Sequence, residues 1–350
     1  MVHINYYDNK WELGMDIAAL LRKAADLIKD GKETDAVNLI NESVTADPGI
    51  ADARFMAELS LINDQIELKR LIKEWEYFYS IKLVYEYCDR LYSGCCDAQA
   101  QKISGIDPKG VDTGNGKEQK DVIWWCWLQG LEAAPDIVKS CYNSLLKLGK
   151  EIIVITHENM SDYIQLPDYI MEKHAKGIIT RTHLSDLIRI ELLSKYGGTW
   201  IDSTVLCTGT DRIGNVLSTS PLFAYSFVMR DSVSRFMLFD SWFLHVGGYS
   251  RIIEDTKRML WEYWKKEDTL KHYFLFHLFF SIACRKNEDE LAKIPVFSNE
   301  PCHVLQLEQM QPFDENRFMQ IKGMSDIHKL TYKYDDNADI KGTFLERVIG

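Results

Sequence analysis

A pair of adjacent glycines near the middle of the chain limits what surrounds it. Gly197 and Gly198 close a run in which Leu184, Leu187, Ile188, Leu192 and Tyr196 recur every three or four residues, the spacing of one helical face. Thr182 stands at the expected N-cap, with Ser185 three residues on. Glycine supplies the left-handed backbone that ends many helices. A short strand, Thr199 to Ile201, follows at once and delivers Asp202 and Thr204 to the point where the chain leaves the sheet. A carboxylate and a hydroxyl placed there can hold a hard divalent cation and, through it, a diphosphate.

The segments before and after fit an α/β domain over residues 121–350. Val122 to Trp127 is a compact apolar strand, Pro135 to Leu148 a helix with proline in its first turn, and Glu151 to Thr156 a second strand rich in β-branched residues. Strand, helix, strand predicts a right-handed crossover and parallel pairing. A helix over 167–174 and the one ending at Gly197 lead to the strand before Asp202. Open parallel sheets bind ligands beyond the C-terminal ends of their strands. Asp202 and the Gln129-Gly130 turn after the first strand are therefore expected to meet around one ligand. Trp124, Trp125 and Trp127 alternate along the first strand, and Trp125 reads as core. Strands are expected over 222–228 and 241–245 and helices over 250–264 and 270–284, with short strands around Val296, Val304 and Leu330.

Residues 1–110 read as a helical region. Ile17, Leu20, Leu21, Ala24, Leu27 and Ile28 form one apolar stripe that stops at Gly31. Ala36, Leu39, Ile40 and Val44 form a second, closed by Asp47-Pro48-Gly49, and a longer helix runs from about Gln65 to Tyr92. The polar, glycine-containing stretch 111–120 reads as a linker.

Composition narrows the function. The formal net charge of -11, from 41 basic and 52 acidic residues, argues against general nucleic-acid binding and against a polybasic membrane patch. None of the eight cysteines forms a CxxC pair, and no paired histidine spacing suggests zinc. With no signal peptide read at the N-terminus, reduced thiols in the cytoplasm are expected. The longest apolar run, Tyr273 to Cys284, is too short to span a bilayer and is interrupted by His277. Peripheral association with the inner face of a membrane stays open.

The stretch D-L-I-R-I-E-L-L-S-K-Y-G-G-T-W-I-D-S-T, residues 186–204, resembles the core of DXD-type sugar-nucleotide glycosyltransferases, and in particular the capsular polysaccharide synthesis protein family. That family's pattern is SDxxRxxLLxxYGGxWxDxT. Asp186, Arg189, Gly197, Gly198, Trp200, Asp202 and Thr204 fall in place. The first strand and its turn, VIWWCWLQGLEAAPDIV, match the family's N-terminal edge. The resemblance implies a GT-A-like fold: a mixed, mainly parallel sheet flanked by helices, here with an N-terminal α-helical region added.

It also implies roles for residues. Trp127, Gln129 and Gly130 would contact the nucleotide through an aromatic face, an amide and close backbone approach. Asp186 and Gly198 would help bind the nucleotide sugar, and Arg189 would hold the donor or orient Asp186; read without the family, Asp186 and Arg189 are an ion pair three apart on a helix. Asp202 would ligate Mn2+ or Mg2+, with Thr204 standing where many DXD enzymes carry a second aspartate. In many such transferases a C-terminal histidine closes the metal sphere and a lysine grips the diphosphate, and His328 and Lys329 offer that pair. His303 is a rival for the histidine role, as is His277, which is spaced to share a helical face with Tyr273.

The implied activity is metal-dependent transfer of a hexose from a nucleotide diphosphate sugar, a UDP-sugar in the first instance, to a surface or capsular glycan, lipid-linked or free, with retention of configuration. Asp202, Lys329 and Arg189 would stabilise the departing diphosphate. Two other classes stay open. One is a transferase-like protein that binds sugar nucleotide or glycan without turnover. The other is a helical scaffold whose working part is the N-terminal region.

Overall fold

The structure, a computed structural model, describes residues 20–21, 23–46, 65–97, 121–227, 236–335 and 338–350. The chain divides into two compact units. The described part of the first comprises residues 20–46 (except 22), 65–89 and 236. Leu21, Ala24, Ile28, Ala36, Ile40, Leu71, Ile72 and Phe78 are buried together in its core. Residues 23–29 are helical and stop at Gly31, at φ +75°, as the stripe predicts. Helices Glu33–Ala46 and Gln65–Tyr92 follow. Ile17, the turn at 47–49 and the linker at 111–120 lie outside the described residues.

The second unit holds an α/β domain. Its main sheet has five strands: β1 (Val122–Cys126), β2 (Glu151–Ile155), β3 (Gly198–Ile201), β5 (Leu222–Ser226) and β6 (Phe239–Val246). Their order is β2-β1-β3-β6-β5. β1 pairs in parallel with both β2 and β3, while β6 runs against β3 and β5. Four strands therefore point one way and the sheet is mainly parallel. A separate antiparallel ribbon joins β4 (Val205–Cys207) to β7 (Ile327–Lys329).

Helices cover both faces, which is why β1 is apolar and β3 is buried along its whole length. Period-two alternation sends Trp125 toward Tyr142 of helix α1 (Asp136–Leu145), and sends Trp124 toward Tyr163 and Tyr196. Both indoles are fully buried. The other helices that matter here are α2 (Arg181–Tyr196), α3 (Arg251–Lys266) and α4 (Leu275–Lys286).

Several boundaries differ from expectation, for local reasons. The cap of α2 is Thr180, whose hydroxyl accepts from the His183 N–H at 3.2 Å; Thr182 already lies in the first turn. Helix α4 begins at Leu275, because the Tyr263 hydroxyl accepts from the Lys271 N–H and donates to the Thr269 carbonyl, tying the preceding segment into a turn. Tyr273 is thus exposed ahead of the helix while His277 is half-buried within it, so the two share no helical face. Val304 lies in a helix, Glu300–Glu308, whose first turn carries Pro301; a pre-set proline φ outweighs the β preference of one valine. Val296 is exposed and outside any strand.

The glycine pair behaves as a backbone requirement. Gly197 adopts φ +67°, ψ −148°, a region that side chains strongly disfavour, and Gly198 has φ +87°. The Gly197 carbonyl accepts from the Trp124 indole N–H at 2.7 Å, so the helix end is tied to β1. Gly197→Ala is expected to lower unfolding free energy by about 1–3 kcal/mol in urea titrations; an unchanged midpoint would show that the strained turn is not needed.

Candidate active site

The ends of β1 and β3 open onto a cleft of about 570 Å³, within the usual range for small-ligand sites. Parallel pairing places both C-terminal ends at one edge, so the turn after β1 contributes Trp127 and Gln129 and the exit from β3 contributes Asp202 and Thr204. The chain then returns from far away. The Leu330 N–H donates to the Thr204 carbonyl at 2.8 Å and β7 pairs with β4, which brings Lys329 and Tyr332 to the same wall. Trp127 and Tyr332 meet edge to face, ring centroids 5.6 Å apart.

Asp202 is the focus of the polar contacts. Its Oδ1 accepts from Arg189 Nη2 at 2.9 Å and from the Trp200 indole N–H at 2.9 Å. Its Oδ2 lies 3.3 Å from Lys329 Nζ, which also donates to Thr204 Oγ1 at 2.5 Å. Arg189 uses its other arm on Asp186, with Nη1 to Oδ1 at 2.5 Å. The guanidinium is buried, packed against the rings of Trp200 and Phe276. On the far side of Asp186, His183 Nδ1 lies 3.2 Å from Oδ2. The Trp264 indole N–H donates to His183 Nε2 at 2.8 Å. That leaves Nδ1 as the ring nitrogen that faces Asp186.

Charges therefore alternate: Asp186, Arg189, Asp202, Lys329. Burial alone would raise the pKa of Asp202, but Lys329, Arg189 and the Trp200 and Lys329 hydrogen bonds outweigh it and hold the carboxyl below 3.8. Burial likewise works against the Asp186 carboxylate, and Arg189 and His183 overcome it. Burial pushes the Cys126 thiol in the cleft up to about 12, so it stays protonated and is no nucleophile.

The structure separates the expected residues. Trp127, Gln129, Asp202, Thr204 and Lys329 line the cleft. Asp186 and Arg189 do not; they lie behind Asp202. Gly130 and Gly198 are not on the cleft wall either, and their positive φ values make them backbone devices. A β-carbon at Gly130 would meet open space, so close approach of a neighbour is not what keeps glycine there.

His328 faces away from the cleft. Adjacent strand residues point to opposite sides, so with Lys329 turned to Asp202, His328 is fully buried and its Nε2 pairs with Thr208 Oγ1 at 2.9 Å. His277 and His303 lie near Asp240, at 3.9 and 4.0 Å. Arg181 and Lys333, which periodicity gave no reason to single out, also line the cleft, as do Tyr273 and Gln306.

The residues do not fit a divalent cation. Among the described residues Asp202 is the one carboxylate on the cleft wall, Thr204 offers a neutral oxygen, and the histidine meant to complete the set is turned away. Among the described residues no group of three or more His, Cys, Asp or Glu converges as metal ligands would.

A mainly parallel sheet carries a charged, aromatic-walled cleft at its strand ends. The sequence profile of the capsular polysaccharide synthesis proteins matches residues 99–348, and the chain belongs to that family. Comparison with curated proteins finds no match, nor does comparison with solved structures. No helix among the described residues is long and apolar enough to cross a membrane.

Because both carboxyl pKa values are depressed, their stabilisation is fully present above the unfolded pKa and is lost as pH falls through the folded values. Arg189→Met would leave two half-buried carboxylates without their shared, buried cation, at an expected cost of up to about 3–5 kcal/mol at neutral pH. Urea titrations should show the gap to wild type closing below about pH 4; a gap that persists in acid would show that the pairing is not its source.

Proposed function

We propose that the protein transfers a hexose from a nucleotide diphosphate sugar to a glycan acceptor in the building of a surface polysaccharide. The family match carries the polysaccharide context. The observation that carries the donor is the charge pattern of the cleft. Among the described residues its wall presents Arg181, Lys329 and Lys333 against Asp202, three cations and one anion, on a chain of net charge -11. Such a concave positive patch focuses potential toward an anion. A diphosphate matches the charge, and Trp127 with Tyr332 gives flat faces for a base or a sugar.

In the reaction the acceptor hydroxyl oxygen bonds to C1 of the donor sugar. The C1–O bond to the β-phosphate breaks, and its electron pair leaves with the diphosphate. Lys329 stabilises the charge that develops on that oxygen. The acceptor proton passes to the departing phosphate. Two points favour this route and retention of configuration. The only carboxylate on the cleft wall among the described residues, Asp202, already accepts from three donors, and the Cys126 thiol is held protonated. Neither is free as the opposite-face base of an inverting reaction or as a covalent nucleophile. Arg189 and Asp186 are positioning residues that fix Asp202. A lipid-linked glycan, met at a membrane surface from the cytoplasmic side, is the acceptor this reading favours.

Lys329→Met is expected to lower kcat/KM for transfer from a UDP-hexose by roughly 10²–10³-fold. The anomeric coupling in the proton NMR spectrum of the product should match that of the donor. A variant that retains full activity would contradict the role of Lys329, and an inverted product the route. Binding of the sugar nucleotide with no transfer or hydrolysis would favour the second reading, a binding protein without turnover, to which the neutral Thr204 lends weight.

A further inference from the structure

The ammonium of Lys329 occupies the space a bridging metal ion would need. Nζ lies 3.3 Å from Asp202 Oδ2 and 2.5 Å from Thr204 Oγ1, between the two side chains that a strand-end carboxylate motif would turn toward a cation. A small divalent ion sits about 2.0–2.1 Å from its oxygen ligands, so it and the ammonium cannot share these two oxygens. The other carboxylate oxygen accepts from Arg189 and Trp200. Field and geometry agree, since the three cations and one anion that the described residues place on the cleft wall oppose entry of a dication.

The remaining donors suit a diphosphate. Arg181 and Lys333 are exposed on the wall, and no ion pair of either side chain is found among the described residues. Thr182 presents a hydroxyl from the first turn of α2, the end of a sixteen-residue helix where its dipole favours negative charge, while the neighbouring Ser185 hydroxyl donates to the Thr182 carbonyl at 2.6 Å.

We infer that glycosyl transfer by this protein needs no metal ion: Lys329, supported by Arg181 and Lys333, neutralises the diphosphate leaving group. The inference rests on the nucleotide diphosphate donor proposed above. When the C1–O bond breaks, the electron pair settles on a phosphate oxygen that accepts a hydrogen bond from Lys329, and the acceptor's proton ends on the diphosphate. Asp202 and Thr204 hold the lysine in place.

Calorimetric titration of uridine and guanosine diphosphates into the intact protein, in excess EDTA and again in excess manganese, tests this. For whichever nucleotide binds, the expected Kd in the two conditions agrees within about twofold, and Lys329→Met in EDTA weakens binding by roughly tenfold or more, with its circular dichroism unchanged. Equilibrium dialysis should show manganese bound to the protein with nucleotide no more tightly than to nucleotide alone. Binding that appears only with manganese would overturn the inference and leave the donor reading standing, as would a Lys329→Met variant that binds as wild type does. Failure of both nucleotides in both conditions would overturn the donor reading, and this inference with it.

Discussion

A guanidinium removed from water needs anions beside it, and Arg189 has two. It reaches Asp186 within its own helix and Asp202 at the end of β3, and it is held between the rings of Trp200 and Phe276. Either carboxylate alone would be costly to bury. Together they lock the helix to the strand and fix the orientation of the one carboxylate that reaches the cleft. The glycine turn between helix and strand makes the pairing possible, because Gly197 and Gly198 reverse the chain within two residues and Trp124 secures the turn from β1. The fixed spacing of Asp, Arg, Gly-Gly, Trp and Asp thus records one physical object, a buried ion network at the mouth of a parallel sheet.

From that object the character of the cleft follows. Asp202 is held ionised, so it retains Lys329, and Lys329 in turn engages Thr204. A hydroxyl at position 204 is compatible with a lysine partner, whereas a second carboxylate would invite a metal. The excess of positive charge on the wall is a local exception in an acidic protein. In the proposed function that excess faces the diphosphate of the donor.

Much of this was legible in the sequence, and the misses have causes. The strand exits that carry Gln129 and Asp202 announced themselves through apolar runs that end at polar residues. Lys329 was found within its motif, but His328 was expected beside it, although neighbouring residues of a strand face opposite ways; the period of two was the unused signal. Asp186 and Arg189 were open to two readings, ion pair or donor contact, and the structure shows the ion pair, with Asp202 as a third member that pair spacing alone does not reveal. Arg181 and Lys333 gave no sign, since exposed cations have no periodicity; their importance exists only once the chain ends of two distant segments are brought to one wall. Val304 was misread because one β-branched residue was weighed above the proline three positions earlier.

The most direct test is a crystal structure of the protein with uridine diphosphate. The account predicts diphosphate oxygens in hydrogen-bond reach of Lys329 Nζ, with the nucleoside between the turn after β1 and Tyr332. A nucleotide seated outside this cleft, or seated in it with its phosphates turned away from Lys329, would contradict the account.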